Sequence, residues 1–267
     1  MRRGHDYDGT LVPFAQRPED GAPDEELLHL LLALQGLPDV DVHVISGRRQ
    51  DDLAHWLGHL SIGLHAEHGR VSRDPGPLTW PGAPSDRPEW MAGVRGLMDA
   101  RAARMPSSFV EEKAYALAWH YRMVSEPEGS RGAAALRREL ATLVRGSAAQ
   151  VVAGHRLIEV REQSANKGLV VRALAAAHPE GRLFIAGDDV TDEDMFVSAP
   201  ASAVTVKIGP GRTQARFQVA GPEQLRSLLR GIAKRLSAQS PPPEEVPTGA
   251  SDPSQATDPL VGAATSA

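Results

Sequence analysis

The sequence predicts an α/β protein, a doubly wound parallel sheet carrying an inserted α+β module. Near both ends of the chain, short apolar runs alternate with amphipathic helical stretches, as βαβ units require. Between them the pattern switches to period-two alternation broken by glycine and proline, which suits antiparallel hairpins. The 267 residues suffice for one large domain or two small ones. Hydrophobic content of 41% with only 4% aromatics means a core of Leu, Val, Ile and Ala.

Asp6-Tyr7-Asp8-Gly9-Thr10 opens the pattern, with a glycine that permits a turn after two closely spaced carboxylates. Residues 13–23 read as a loop, and 24–34 as a helix opened by Pro23, with acids in its first turn and Leu27, Leu28 and Leu31 on one face. Val42-His43-Val44-Ile45 reads as a buried parallel strand ending in Ser46-Gly47-Arg48, followed by helix to about Leu57. A strand over 62–66 closes in Glu67-His68-Gly69.

The Pro- and Gly-rich stretch 74–88 marks a boundary. Helices are expected over 88–105 and 131–145, a strand or hairpin over 109–122, and a hairpin over 151–160 around Gly154. Alternation then resumes: helix 167–177, strand 183–186, a helix start at 192–198, strand 203–208 and helix 222–236. The expected division is a core of 1–69 and 165–236, an inserted module of 70–164, and a disordered tail of 237–267 rich in Pro, Ser, Ala, Gly and Thr.

A net charge of -5 without a long basic run argues against nucleic-acid binding. The absence of cysteine excludes disulfides, thiolate zinc sites and a cysteine nucleophile. Residues 1–5 lack the apolar core of a signal peptide, and the longest apolar stretch, 27–37, is too short to span a bilayer. The expectation is a cytoplasmic protein with no membrane partner. No signal sets an oligomeric state.

Open parallel sheets place their sites at the carboxyl ends of strands. Three polar clusters fall there: 6–10, Ser46-Gly47-Arg48, and Gly187-Asp188-Asp189-Val190-Thr191-Asp192, with Asn166-Lys167-Gly168 at a helix start. Each alone is explained by turns and caps. Together they supply what phosphoryl transfer needs. Ser46 can hold a phosphate oxygen, Lys167 and its helix N-terminus add positive charge, and Asp188 and Asp189 can complete a magnesium shell begun by Asp6 and the Asp8 carbonyl.

These pieces, D-Y-D-G-T at 6–10, I-S-G-R at 45–48, N-K-G at 166–168 and G-D-D-V-T-D-E-D at 187–194, resemble the haloacid dehalogenase (HAD) superfamily of phosphatases. Within it the chain is similar to the trehalose-6-phosphate phosphatase family, through Ala66-Glu67-His68-Gly69, Val110-Glu111-Glu112-Lys113 with His120-Tyr121-Arg122, and the run 154–161. The resemblance covers about 6–236 and implies a HAD-like Rossmannoid core with a cap at 70–164. It implies Asp6 as nucleophile and Asp8 as the group that protonates the leaving oxygen and then activates water. Ser46 and Lys167 would hold phosphate, and Mg2+ would sit on Asp6, Asp8 and Asp188, with Asp189 close by. It implies sugar contacts from Arg48, Glu67, His68, Lys113, Arg122, Arg156, Glu159 and Arg161, so the expected partner is a small sugar phosphate.

The run into Asp6 departs from the family's apolar strand: Arg2, Arg3 and His5 are costly in a buried strand. The expectation is a central strand missing or damaged, and a chain less stable than its relatives. Alternatives are a sucrose-phosphate or mannosylphosphoglycerate phosphatase, an inactive sugar-phosphate binder, or a phosphoaspartate receiver. The length and the inserted module argue against a receiver.

Overall fold

Two sheets organise the chain in its computed structural model, which describes residues 2–15, 17–76, 78–80 and 87–239. The larger has seven strands: β1 (Arg2–His5), β2 (Asp41–Ile45), β3 (Gly63–Ala66), β4 (Val71–Arg73), β9 (Leu183–Gly187), β10 (Val204–Ile208) and β11 (Phe217–Val219). The smaller has four, β5 (Phe109–Glu112), β6 (Ala116–His120), β7 (Ala149–Gly154) and β8 (Leu157–Glu162). Helices α1 (Glu25–Gln35), α2 (Gln50–Leu57), α5 (Lys167–Ala177), α6 (Val190–Ser198) and α7 (Pro222–Gln239) connect or flank the large sheet, while α3 (Trp90–Arg104) and α4 (Glu128–Leu143) flank the small one.

The large sheet runs β11-β10-β9-β1-β2-β3-β4, parallel except for the antiparallel β3–β4 pair. Alternate residues of each strand face opposite helical layers. Val42, Val44, Phe184 and Ala186 pack with α1, α2 and α7, whereas Ile45, Leu183 and Ile185 pack with α5 and α6. α1 is capped by Asp24, whose Oδ1 accepts from Leu27 N at 2.7 Å. A cap contributes about 1 kcal/mol, while burying Leu27, Leu30, Leu31 and Leu34 contributes about 2 kcal/mol each, so packing decides this helix. In the small sheet all five residues of β6 are buried: Leu117 and Trp119 pack against α3 and α4, and Lys113, Glu159 and His120 face the cleft between the sheets.

The expectation of a lost central strand is corrected. β1 lies in the middle of the large sheet, with Arg2↔Asp41 through His5↔Val44 on one side and Arg2↔Leu183 through His5↔Ala186 on the other. The ladder rests on backbone groups, which pair whatever the side chain. Gly4 leaves room for Ile45, and His5 is fully buried with its ring 5.6 Å from Phe184. Smaller differences follow from the same source. β4 and β11 are three-residue edge strands with too little length for a periodic signal, and β4 extends the large sheet past residue 69. A 3-10 turn, Pro18–Gly21, interrupts the expected loop. α6 starts at Val190 because Asp189 and Asp192 form a capping box. α7 runs to Gln239, and the rest of the expected tail, 240–267, lies outside the described residues. Among the described residues no helix is long and apolar enough to cross a membrane.

Beneath the sheet, His43 Nδ1 and His65 Nε2 stand 3.0 Å apart, and His65 Nδ1 lies 2.9 Å from Ser72 Oγ. Burial, and then the neighbouring His43, push His65 down to about 3. An unfolded histidine titrates near 6.5, so between about pH 6.5 and 3 the unfolded chain holds a proton that the folded chain lacks. Stability therefore falls as pH is lowered through that window. In His65→Gln the slope of unfolding free energy against pH near pH 5 should be shallower by about 1.4 kcal/mol per pH unit. Urea titrations at several pH values measure this, and an unchanged slope would contradict it.

Candidate active site

The strand ends converge as parallel topology demands. Asp6 leaves β1, its N–H donating to Ala186 O at 3.0 Å, Ser46 leaves β2, and Asp188 follows β9. Lys167, first residue of α5, is buried and donates from Nζ to Asp6 Oδ1 at 2.5 Å and to Asp192 Oδ1 at 2.7 Å. Asp192 Oδ2 accepts the backbone N–H groups of Asp188 at 2.7 Å and Asp189 at 2.9 Å, which fixes the loop after β9. Thr10 Oγ1 donates to Asp188 Oδ1 at 2.7 Å, and the buried Lys207 donates to the Asp188 carbonyl.

Carboxylate oxygens of Asp6, Asp188 and Asp192 lie within 4.8 Å of one another. Burial and then Asp192 drive Asp6 well above the carboxylate range, against the pull of Lys167. The same two causes raise Asp188 to about 7. Burial works against the charge of Lys167, but Asp192 and Asp6 overcome it and hold the ammonium charged. Lys167 thus bonds two of the three acids, and Lys207 reaches only the Asp188 carbonyl, which leaves the carboxylate oxygens short of positive charge. Oxygens on one small hard cation are at most about 4.2 Å apart, so slight movement would close this set around such an ion. The donor set fits a hard divalent cation.

A cavity of about 120 Å³ opens beside this group, bounded by Asp6, Asp8, Ser46, Arg48 and Lys167 from the large-sheet side and by Lys113, Arg122 and Glu159 from the small sheet. Asp8 is held by Arg48 through a two-pronged pair, Nε to Oδ2 at 2.7 Å and Nη2 to Oδ1 at 2.6 Å. The Arg48 guanidinium lies 4.5 Å from the Trp56 ring centroid, which keeps the fork flat. Across the cleft, Glu159 accepts from Lys113 Nζ at 2.7 Å, and its other oxygen lies 2.8 Å from His68 Nε2. Burial opposes the Glu159 charge, but Lys113, with His68, holds it well below the carboxylate range. Burial pushes His68 down to about 4, so at neutral pH a neutral imidazole donates to Glu159.

The expected contact residues divide. Asp6, Asp8, Ser46, Arg48, His68, Lys113, Arg122, Glu159, Lys167 and Asp189 line the cavity. Asp189 does not join the three clustered carboxylates: its Oδ1 accepts from Val190 N at the helix cap, while Asp192, one turn on, joins them with its oxygens bonded to Lys167 and to the Asp188 and Asp189 N–H groups. Glu67 is turned to the small-sheet segment, accepting the N–H groups of Ala114 at 3.1 Å and Tyr115 at 2.8 Å. Arg156 is tied to Glu126 and to carbonyls of Tyr121 and Val124, and the buried Arg161 lies outside the cavity lining. Among the lining residues given no role by sequence are Phe14, Glu111, His120 and His155. Glu111 and His120 pair at 2.7 Å and sit inside the motifs at 110–113 and 120–122, so their joint polarity was the available signal. His155 sits inside the run 154–161, and Phe14 carried no signal.

This topology is a HAD-like fold. The fold is shared with a haloacid dehalogenase-like hydrolase from Bacteroides thetaiotaomicron, with a TM-score of 0.62 over 90% of this chain and 99% of that one, at 12% identity. The trehalose-phosphatase family matches residues 5–222, and the chain belongs to that family. It is 42% identical over 227 residues to a bifunctional trehalose-6-phosphate synthase/phosphatase of Thermoproteus tenax, covering 85% of this chain and 31% of the relative. The C-terminal domain of C. albicans trehalose-6-phosphate phosphatase superposes with a TM-score of 0.82 at 32% identity, covering 87% of this chain and 91% of that one. The chain spans between 24% and 31% of the length of the first curated relatives.

Proposed function

We propose that this chain hydrolyses trehalose 6-phosphate to trehalose and phosphate, with Mg2+ held by Asp6, the Asp8 carbonyl and Asp188. The observation that carries the reading is the buried Asp6 carboxylate, fixed by Lys167 and grouped with two further acids at the strand ends of a trehalose-phosphatase family chain. A bound divalent cation supplies positive charge facing the phosphoryl oxygens. Lys167 and Ser46 orient the phosphate so that an Asp6 oxygen lies in line with the sugar oxygen. Asp6 attacks phosphorus, the phosphorus–oxygen bond to the sugar breaks, and the departing oxygen takes a proton from Asp8. Water, deprotonated by Asp8, then attacks the aspartyl phosphate, releasing phosphate and restoring Asp6. The Arg48 fork engages both Asp8 oxygens, so it must open for Asp8 to carry that proton.

We take the small sheet with α3 and α4 as a cap whose Lys113, Glu111, Glu159 and Arg122 meet the sugar hydroxyls, since charged groups bond hydroxyls well. Phosphate release from trehalose 6-phosphate, set beside sucrose phosphate and mannosylphosphoglycerate, tests the reading. A clear preference for either competitor would replace the substrate. Chelation should lower release by at least about a hundredfold, with recovery on adding Mg2+. Full activity in chelator would remove the metal from the scheme.

A further inference from the structure

Phosphoryl transfer needs charges and donors, yet a flat apolar ring stands at the mouth of the cavity. Phe14 is 41% exposed there. It flanks the catalytic loop: a methyl group added at Gly9 would lie 2.5 Å from the Phe14 ring and 2.4 Å from an Asp188 oxygen. The ring therefore sits beside the phosphoryl site, where the first sugar unit of a sugar phosphate must lie. From the small sheet, His155 in the turn between β7 and β8 stacks on it, with centroids 4.8 Å apart and planes at 18°. The Arg122 guanidinium lies 5.7 Å from the Phe14 ring centroid and donates to the Ala15 carbonyl, which holds the segment in place. The stacked pair thus spans the cleft from its two sides, and a sugar entering the cavity meets both rings.

We propose that Phe14 and His155 form an aromatic clamp, one ring from each side of the cleft. It closes on itself in the empty site and on the apolar C–H face of the sugar nearest the phosphate in the filled one. The pair thereby sets a preference for sugar phosphates over acyclic phosphates. The polar rim of the pyranose meets the charged residues of the small sheet, and its apolar face needs a ring. This inference rests on the phosphatase reading above.

The test compares kcat/KM for trehalose 6-phosphate with that for glycerol phosphate in the wild type, Phe14→Ala, Phe14→Tyr and His155→Ala. The ratio should fall about tenfold in each alanine variant and be retained in Phe14→Tyr. An unchanged ratio in Phe14→Ala, even with both rates lowered, would overturn the clamp and leave the ring a structural support for the loop. Calorimetry with trehalose and with inorganic phosphate gives a readout independent of turnover: Phe14→Ala should weaken trehalose binding about tenfold relative to phosphate. Equal loss of both ligands, or a wild type that binds no trehalose, would sink the clamp. A wild type that binds trehalose but releases no phosphate would sink only the catalytic reading.

Discussion

Asp6→Asn is expected to cut phosphate release from trehalose 6-phosphate by about three orders of magnitude or more, because it removes the attacking oxygen anion and nothing nearby replaces it. Asp8 is engaged by Arg48, and Asp188 and Asp192 are tied to Thr10 and Lys167. The change is nearly isosteric, and the amide oxygen can still accept from Lys167, whose Nζ stands 2.5 Å from Asp6 Oδ1. The variant should fold as the wild type does. Stability should hold or rise slightly, since one of three crowded carboxylates is neutralised. Phosphate release and urea denaturation on the same preparation separate the two effects. Equal turnover in both proteins would exclude Asp6 as nucleophile, and a collapsed fold with lost turnover would leave the residue structural.

Lys167→Met should damage both function and stability. Lys167 is 3% exposed and shared by Asp6 and Asp192, so its loss leaves two buried carboxylates without their cation. Breaking a buried pair by removing one partner costs about 3–5 kcal/mol. The carboxylates avoid part of that cost by binding a proton, and a protonated Asp6 does not attack phosphorus. Turnover is expected to fall by at least about a hundredfold, with unfolding free energy lower by about 3 kcal/mol in metal-free buffer. Added Mg2+ should recover part of the stability by supplying positive charge to the same oxygens. A variant that unfolds and turns over like the wild type would show that Lys167 does not offset these charges.

Much of the fold was legible because strand and helix periodicities are local. The helix predicted for 24–34 is α1 at Glu25–Gln35, and the one predicted for 167–177 is α5, Lys167–Ala177. The misreading of Arg2–His5 came from judging a central strand by its side chains, when its place was secured by backbone pairing to β2 and β9. β4 and β11 were unreadable because three residues hold too little pattern to count.

The chemistry of the site divides the same way. Asp6, Ser46, Lys167 and Asp188 could be picked out along the chain because each sits where a strand ends or a helix begins, and those places can be read locally. Folding alone separates Asp192, which faces Asp6 and Lys167, from Asp189, which caps α6, since that depends on how the first turn of a helix is rotated toward a neighbour. Folding alone also turns Glu67 onto the Ala114 and Tyr115 amides and brings Phe14 against His155. Contacts between residues far apart in the sequence leave no periodic trace, because they arise from packing one layer against another and not from the path of the backbone.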